Sequence, residues 1–417
     1  MRAAFARPGF ARLFAGLSVS MLGDSIMLLV LSIWVKTLTG SNAMAGLTFF
    51  FMVLPAIGAP LLGIWVDRLS RRVVLVWGNL ASALAVLPLL LVRDAGDVWL
   101  IWAVAFAYGI SFVVLPAALN GLLKDLMPDG LLAEANGAIQ TTKEAFRLFG
   151  PLVGAGLFAA VGGWAVALID AASFVLAAVL IAGLRVPEEP LARDDGSFWS
   201  QFSAGARFLG TDRVLKHVLV GFGTMILVIG FFEASIYALL DAFNLPATYA
   251  GVLLTVQGIG AVLGGLASAG LIRRLGEVRV AVLGLLLIAG STAGAAGAPT
   301  IAVVLATLPV MGFGLPCTFV PFMTLLQRRS PRELVGRVSA AVEVLMSTPQ
   351  AISLAVGSVL VSQLSYRQIF SIIAIVITMG AIYIAVRLRD ETAPGLIGEQ
   401  RTTNESVSIA ADPVQQG

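Results

Sequence analysis

Gly63-Ile64-Trp65-Val66-Asp67-Arg68-Leu69-Ser70-Arg71-Arg72 is a short charged turn between two apolar runs, 43–66 and 73–92. About 20 apolar residues in a helix cross the hydrocarbon of a bilayer, so the stretch reads as the polar loop of a transmembrane hairpin. Outward from it, runs of the same kind occupy 12–35, 98–122, 135–160, 163–184, 217–240, 247–271, 278–297, 300–326, 338–363 and 366–387. Twelve such spans need roughly 240 residues. The composition supplies them: 58% of 417 residues are apolar and only 12% are charged, against about 45–50% and about 25% in soluble domains. The mean hydropathy is +0.94. The expected fold is an all-α membrane protein of twelve transmembrane helices in two pseudo-symmetric six-helix bundles.

Basic residues set the orientation. Of the 27 Lys and Arg, only Lys36, Arg93 and Arg367 fall in the loops of one side, and Lys143 and Arg147 fall inside a span. The other loops hold the rest, which the positive-inside rule puts in the cytoplasm. The expectation is a multi-pass protein of the cell's inner (cytoplasmic) membrane with both termini cytoplasmic. Arg2, Arg7 and Arg12 precede the first run as in a signal peptide, but Leu13–Val35 is too long for a signal core. One Cys (Cys317) and one His (His217) build neither a Cys/His metal centre nor a disulfide framework. A net charge of +3 gives no reason to expect nucleic acid as a partner.

The longest internal polar stretch, 185–216, divides the chain into an N-terminal bundle (1–184) and a C-terminal bundle (217–388), followed by a polar tail (389–417) expected to be disordered. Within the linker, Phe198, Trp199, Phe202, Ala206 and Leu209 form a helical face. It suits either an interfacial helix or one packed beneath the bundle. The halves look related. Leu122-Leu123-Lys124-Asp125-Leu126-Met127-Pro128 after the fourth span parallels Leu325-Leu326-Gln327-Arg328-Arg329-Ser330-Pro331 after the tenth. Glu144 and Glu343 follow at similar positions. Internal repeats of this kind mark transporters with a midplane site between repeats.

The 63–72 turn resembles the signature loop of the major facilitator superfamily, G-x-x-x-D-R-x-G-R-R, with Ser70 in place of one Gly. It lies between the second and third spans on the basic side, as in the family. The resemblance implies a gating cluster of Gly63, Asp67, Arg68, Arg71 and Arg72, with Asp125 as the carboxylate facing Arg71, that latches one conformation and does not bind substrate. Gly137, Gly150, Pro151 and Gly154 are similar to the G-x8-G-x3-G-P-x2-G-G run of the superfamily's exporters, with Phe146 and Ala155 where Gly is usual. Gly150, Pro151 and Gly154 are then a helix-kink element. The fourth span lacks the Arg of the proton-antiporter branch. Gly23-Asp24 in the first span and charges in the fifth resemble macrolide, tetracycline and siderophore exporters more closely.

Ionisable residues inside spans are costly and functional by default: Asp24, Lys143, Glu144, Arg147, Asp170, Glu233, Asp241 and Glu343. Asp241 falls near the outer end. Glu144 and Arg147 are three apart and share a helix face. A buried carboxylate holds its charge beside a guanidinium and takes up a proton when the guanidinium leaves. Asp24, Glu144 and Arg147 are therefore the candidate proton-coupling set. Phe231 and Glu233 would attract a lipophilic cation through charge and ring together. Met27, Phe106, Phe112, Tyr237, Phe313 and Phe319 complete the candidate substrate contacts.

The expected activity is secondary efflux of amphipathic or hydrophobic small molecules, of the antibiotic or multidrug type, by proton antiport. No nucleotide-binding loop or cofactor is implied, only the proton gradient, with membrane lipid as surroundings and a monomer as the working unit. Import or lipid flipping on the same fold is the alternative. A non-transporting membrane sensor or scaffold is a second one. A membrane enzyme lacks the catalytic residues it would need.

Overall fold

Hydrocarbon offers the backbone no hydrogen-bond partner, so each span satisfies its own peptide groups as a helix. Polar residues sit at the ends where a helix must start. Ser41, Ser70, Asp212 and Ser365 each accept a backbone N–H of the first turn they precede. The computed structural model describes residues 2–7, 9–59, 62, 66, 69–184, 198–331 and 334–389. Most of the expected tail and the first part of the linker lie outside them.

In chain order the helices are helix 1 (Phe10–Thr39), helix 2 (Asn42–Val53, extended by a 3₁₀ turn, Leu54–Gly58) and helix 3 (Arg71–Val86). Helix 4 (Val98–Leu126), helix 5 (Asp129–Val161) and helix 6 (Gly163–Ala182) complete the first half. A linker helix (Phe198–Thr211) follows. The second half comprises helix 7 (Arg213–Ala242), helix 8 (Ala250–Leu275), helix 9 (Glu277–Ala296), helix 10 (Ile301–Arg329), helix 11 (Val335–Leu360) and helix 12 (Tyr366–Arg387). Among the described residues eleven helices are long and apolar enough to cross a membrane, and Asn42–Gly58 is a shorter apolar helix. The rest of the expected second span falls largely outside the described residues; those described make a multi-pass helical membrane protein of eleven spanning helices and one shorter apolar helix.

The repeat is metrically regular. Adding 203 to the bounds of helix 1, Phe10–Thr39, gives those of helix 7, Arg213–Ala242; adding it to helix 4, Val98–Leu126, gives helix 10, Ile301–Arg329. Helices 6 and 12 start 203 residues apart as well. Within the first half, helix 1 packs on helices 5 and 6, and helix 3 on helices 4 and 6. Within the second, helix 7 packs on helices 11 and 12, and helix 10 on helices 8 and 9. The halves meet through helix 2 with helices 7 and 11, and through helix 5 with helix 8.

Two apolar cores result, and their division matters. One runs continuously through the second half and the part of the first half remote from the arginine-rich loops, from Ile26–Val35 of helix 1 to Phe174 of helix 6. The other is confined to the arginine-rich end of the first half: Phe10, Leu13 and Leu17 with Leu75, Leu122, Leu123 and Ile181. The halves thus share a core at the far end and have separate cores at the basic end.

The linker helix settles the choice between its two readings. Leu209 is buried, Phe202 and Ala206 pack against the main core, and Gly205 lies on the backbone of Arg337 at the start of helix 11. The described part of its apolar face, Phe202, Ala206 and Leu209, is turned to the bundle, so this part packs beneath the second half.

Candidate functional site

The far end is sealed by contacts between the halves. Lys36 at the end of helix 1 donates to Asp241 at the end of helix 7 over 2.6 Å, and Asn42 donates to the same carboxylate oxygen at 3.0 Å. A side chain at Gly46 of helix 2 would collide with Ala234 of helix 7 and Ser358 of helix 11. On the other flank the Thr255 hydroxyl of helix 8 donates to the Leu148 carbonyl of helix 5 at 3.1 Å, and Gly251 abuts Pro151 and Ala155.

At the basic end the ion pairs seen among the described residues join side chains of one half. Arg71 at the start of helix 3 pairs with Asp125 at the end of helix 4, both nearly buried. Arg12 and Arg72 donate to Gly183 and Ala182 at the end of helix 6, where free carbonyls and the helix dipole favour cations. In the other half Arg328 pairs with Glu277, and Arg329 with Asp212. Of the residues that the resemblance assigns to gating, Arg71 and Asp125 meet each other and Arg72 meets the end of helix 6, whereas Gly63, Asp67 and Arg68 lie outside the described residues.

Between these ends helices 1 and 5 cross at the Gly150–Gly154 stretch. A Cβ at Gly150 would meet Ser25, and one at Gly154 the backbone of Ile26. The Ser25 hydroxyl donates to the Phe146 carbonyl at 2.5 Å. Pro151 is accommodated inside a continuous helix. The element expected as a kink is thus a crossing point, serving helix 1 on one side and helix 8 on the other.

Toward the basic end from this crossing, helix 5 leaves Glu144 and Arg147 exposed. Their side chains are 47% and 75% exposed, the ion pair is stretched to 4.0 Å, and Glu144 accepts from Gln140 at 2.7 Å. This corrects the expectation of a buried pair: the three-residue spacing gives a shared face, and that face borders open space. The charge of Arg147 acts on Glu233 of helix 7, in the other half. Glu233 and Phe231 are half-buried.

No hydrogen bond or ion pair joins Asp24 to Glu144 among those described, where Glu144 meets Gln140 and Arg147. The charge of Asp24 acts on Asp170 of helix 6, which is 1% exposed and accepts from the Tyr108 hydroxyl of helix 4. Phe112 lies one turn beyond Tyr108, the rings 5.8 Å apart. Phe106 is six residues from Phe112, hence about 120° away on the helix, and shares the exposed stripe of Trp99; one cavity does not take both. Two further substrate candidates are corrected. Met27 and Tyr237 are fully buried in the main core, because an apolar helix shows no hydropathy difference between the face that packs and the face that lines a gap. Phe319 is exposed yet packs edge-on against Phe222 at 4.7 Å, and Phe313 is half-buried beside Gly264 of helix 8.

Sequence reasoning passed over Tyr108 and weighed Asp170 lightly. The 203-residue repeat carries the missed signal. The counterparts of Asp24, Tyr108 and Asp170 are Leu227, Met311 and Ile373, so the second half closes the same architecture with hydrocarbon. The polar triad is not required by the fold. Cys317, by contrast, is a packing residue, buried within reach of Ser268.

Comparison with known proteins agrees with this geometry. The Major Facilitator Superfamily profile matches residues 13–354 and, again, 234–411. The chain is 26% identical over 369 residues to the "Uncharacterized MFS-type transporter YfiS" of Bacillus subtilis (strain 168), covering 84% of this chain and 86% of that one. It is 24% identical over 264 residues to macrolide efflux protein A of Streptococcus pyogenes, covering 62% of this chain and 65% of the relative. Among solved structures, the nucleoside transporter NupG superposes with a TM-score of 0.71 at 16% identity, over 91% of this chain and 99% of that one. A bacterial homologue of the iron transporter ferroportin in its inward-facing state gives 0.67 at 18% identity, over 92% and 98%.

Proposed function

Because this chain belongs to the major facilitator superfamily, we propose that it is a secondary active exporter of amphipathic, preferentially cationic small molecules, driven by proton antiport. The two halves rock about the gap between them. The observation that carries the reading is the division of the core: joined at the far end, separate at the basic end, with Glu144 and Arg147 exposed halfway along helix 5. Charged side chains at that depth face water and not lipid. The arginine-rich end is the cytoplasmic one by the positive-inside rule, so the molecule is open to the cytoplasm and both termini lie there.

Glu233 then supplies the attraction for a cation, and Phe231 and Phe112 supply apolar contact. Arg147 neutralises Glu233 when no substrate is bound and is displaced by a cationic substrate. Asp24 is the proton-carrying carboxylate. Glu144, standing in water, is a lining charge and not the coupling group. The similarity to macrolide efflux protein A supports outward transport of drug-like molecules.

The test is accumulation of ethidium and a macrolide panel in cells with and without the protein, each with and without a protonophore. Lower accumulation that the protonophore abolishes supports the reading. Unchanged or raised accumulation, or a decrease that the protonophore leaves intact, overturns it.

A further inference from the structure

Asp170 is an ionisable side chain with almost no exposure, in the middle of a helix, and only half of it is satisfied. The Tyr108 hydroxyl donates to Oδ2. Oδ1 is buried and receives no hydrogen bond from any described residue. That oxygen points at helix 1: a Cβ placed on Gly23 would run into it and into the Ser173 hydroxyl. Gly23 allows the backbone carrying Asp24 to lie directly against Asp170, whose hydroxyl neighbour Ser173 donates to the Asp170 backbone carbonyl and stands beside its carboxylate.

An ionised carboxylate with an orphaned oxygen in a dry site is costly, and two ionised carboxylates side by side are more so. One proton resolves both problems. Placed on Asp170 Oδ1 it turns the orphaned acceptor into a donor aimed at helix 1 beside Gly23, the chain neighbour of Asp24. Of the other charges on the packed helices, those nearest along the chain contacts are on helix 5, where Ser25 beside Asp24 donates to the Phe146 carbonyl next to Arg147. Helix 3, packed on helix 6, carries Arg71 and Arg72 at the basic end, and Arg12 of helix 1 is at that same end. Among the described residues of helix 4 the only titratable group that faces Asp170 is Tyr108, which keeps its own proton by donating. On helix 5, Lys143, Glu144 and Arg147 are exposed.

We propose that Asp24 and Asp170 together hold a single proton, bound between their carboxyl groups with Tyr108 fixing the oxygen that does not carry it. The pair alternates between one proton and none. The observed state, in which Asp170 is dry, is the proton-holding one, and the proton leaves when helix 1 moves off Asp170. This rests on the antiport reading of Asp24 and extends it by a residue that the second half replaces with isoleucine. The proton site is then separate from the substrate contacts around Glu233, so the two ligands couple through movement of helix 1 and not by competing for one group.

The experiment is a pH titration of the full-length protein in nanodiscs followed by infrared difference spectroscopy of the protonated-carboxyl band, alongside proton release in proteoliposomes. The wild type is expected to show one such titrating band. Asp24→Asn and Asp170→Asn should each remove it and lower proton-driven transport at least about tenfold. Tyr108→Phe removes a hydrogen bond and no charge; it should keep the band but shift its midpoint by about one pH unit or more, which a purely structural hydroxyl would not do. A wild-type band and wild-type proton release in Asp170→Asn overturn the proposal, as does loss of the band on adding sodium at constant pH. If Asp170→Asn fails to fold, an unshifted midpoint in Tyr108→Phe overturns it. A band that behaves as expected while wild-type efflux ignores a protonophore upholds the shared proton and removes the antiport reading instead.

Discussion

The far-end latch offers a perturbation whose size follows from the structure. Lys36 and Asp241 belong to different halves, so their 2.6 Å contact exists only while the far end is shut. Removing it leaves the state open to the far side untouched and destabilises the observed one by the whole value of the contact. Exposed ion pairs contribute about 0.2–1 kcal/mol, and charge-assisted hydrogen bonds about 1.5–3 kcal/mol. This pair lies between: Lys36 is 11% exposed and Asp241 47%. About 1.4 kcal/mol is a fair value, and it corresponds to a tenfold change in the ratio of the two conformations. Lys36 also donates to the Gly40 carbonyl at 2.9 Å, and Asn42 also donates to Asp241, so neither single substitution isolates the pair. A double-mutant cycle of Lys36→Ala and Asp241→Ala does.

Spin labels on Arg93 and Gln363, both exposed at the far end and in opposite halves, would report the two distances by pulsed electron resonance. The open-to-far-side fraction should rise about tenfold in odds in each single variant, the double variant should add little, and the charge swap Lys36→Asp with Asp241→Lys should restore most of the wild-type distribution. Additive single effects, or a swap no better than either single change, would refute the latch.

Two smaller perturbations test the crossing and the lining charges. Gly154→Val drives a side chain into the backbone of Ile26, whereas a Cβ at Gly156 meets nothing within 4 Å; thermal unfolding should show a loss of about 1–3 kcal/mol for the first and no loss for Gly156→Ala. Glu144→Gln breaks only a stretched pair standing in water, so its unfolding midpoint should correspond to less than about 0.5 kcal/mol and proton release should persist; a larger drop would mean the pair is buried.

The spans were legible in the sequence because hydrocarbon thickness fixes the length of an apolar run. Their ends were not. Helix 5 begins at Asp129 and helix 1 at Phe10, beyond the apolar stretches at 135 and 12, since hydropathy marks the slab and not the helix. Arg71 facing Asp125 was legible, being opposite charges at the shared end of neighbouring spans. Met27 and Tyr237 were not, because apolar residues serve lipid-facing and buried faces alike. Asp241 was set aside for lying near the surface, yet its position at the end of helix 7 is what lets it meet Lys36. For Glu144 and Arg147 the spacing gave their common face but not which side of helix 5 water reaches.

The repeat also allows an argument about polarity at the basic end. In each half the first residue of the third helix pairs with the second-last residue of the fourth: Arg71 with Asp125, and Glu277 with Arg328. The signs are reversed. Helix N-termini favour negative charge and C-termini positive, so Glu277 and Arg328 both agree with their helix dipoles, while Arg71 and Asp125 both oppose theirs. Each charge is worth about 0.3–1 kcal/mol. Reversing the first-half pair (Arg71→Glu with Asp125→Arg) swings two charges from unfavourable to favourable and should therefore raise stability by about 1–4 kcal/mol. Reversing the second-half pair (Glu277→Arg with Arg328→Glu) should lower it by a similar amount. The less stable polarity occurs in the half whose loop carries the superfamily signature, which fits a pair selected for switching over holding. On that reasoning the stabilised first-half variant should transport poorly. Unfolding midpoints that move in the same direction for both swaps would dispose of the dipole argument, and a stabilised first-half variant with full transport would dispose of the switch.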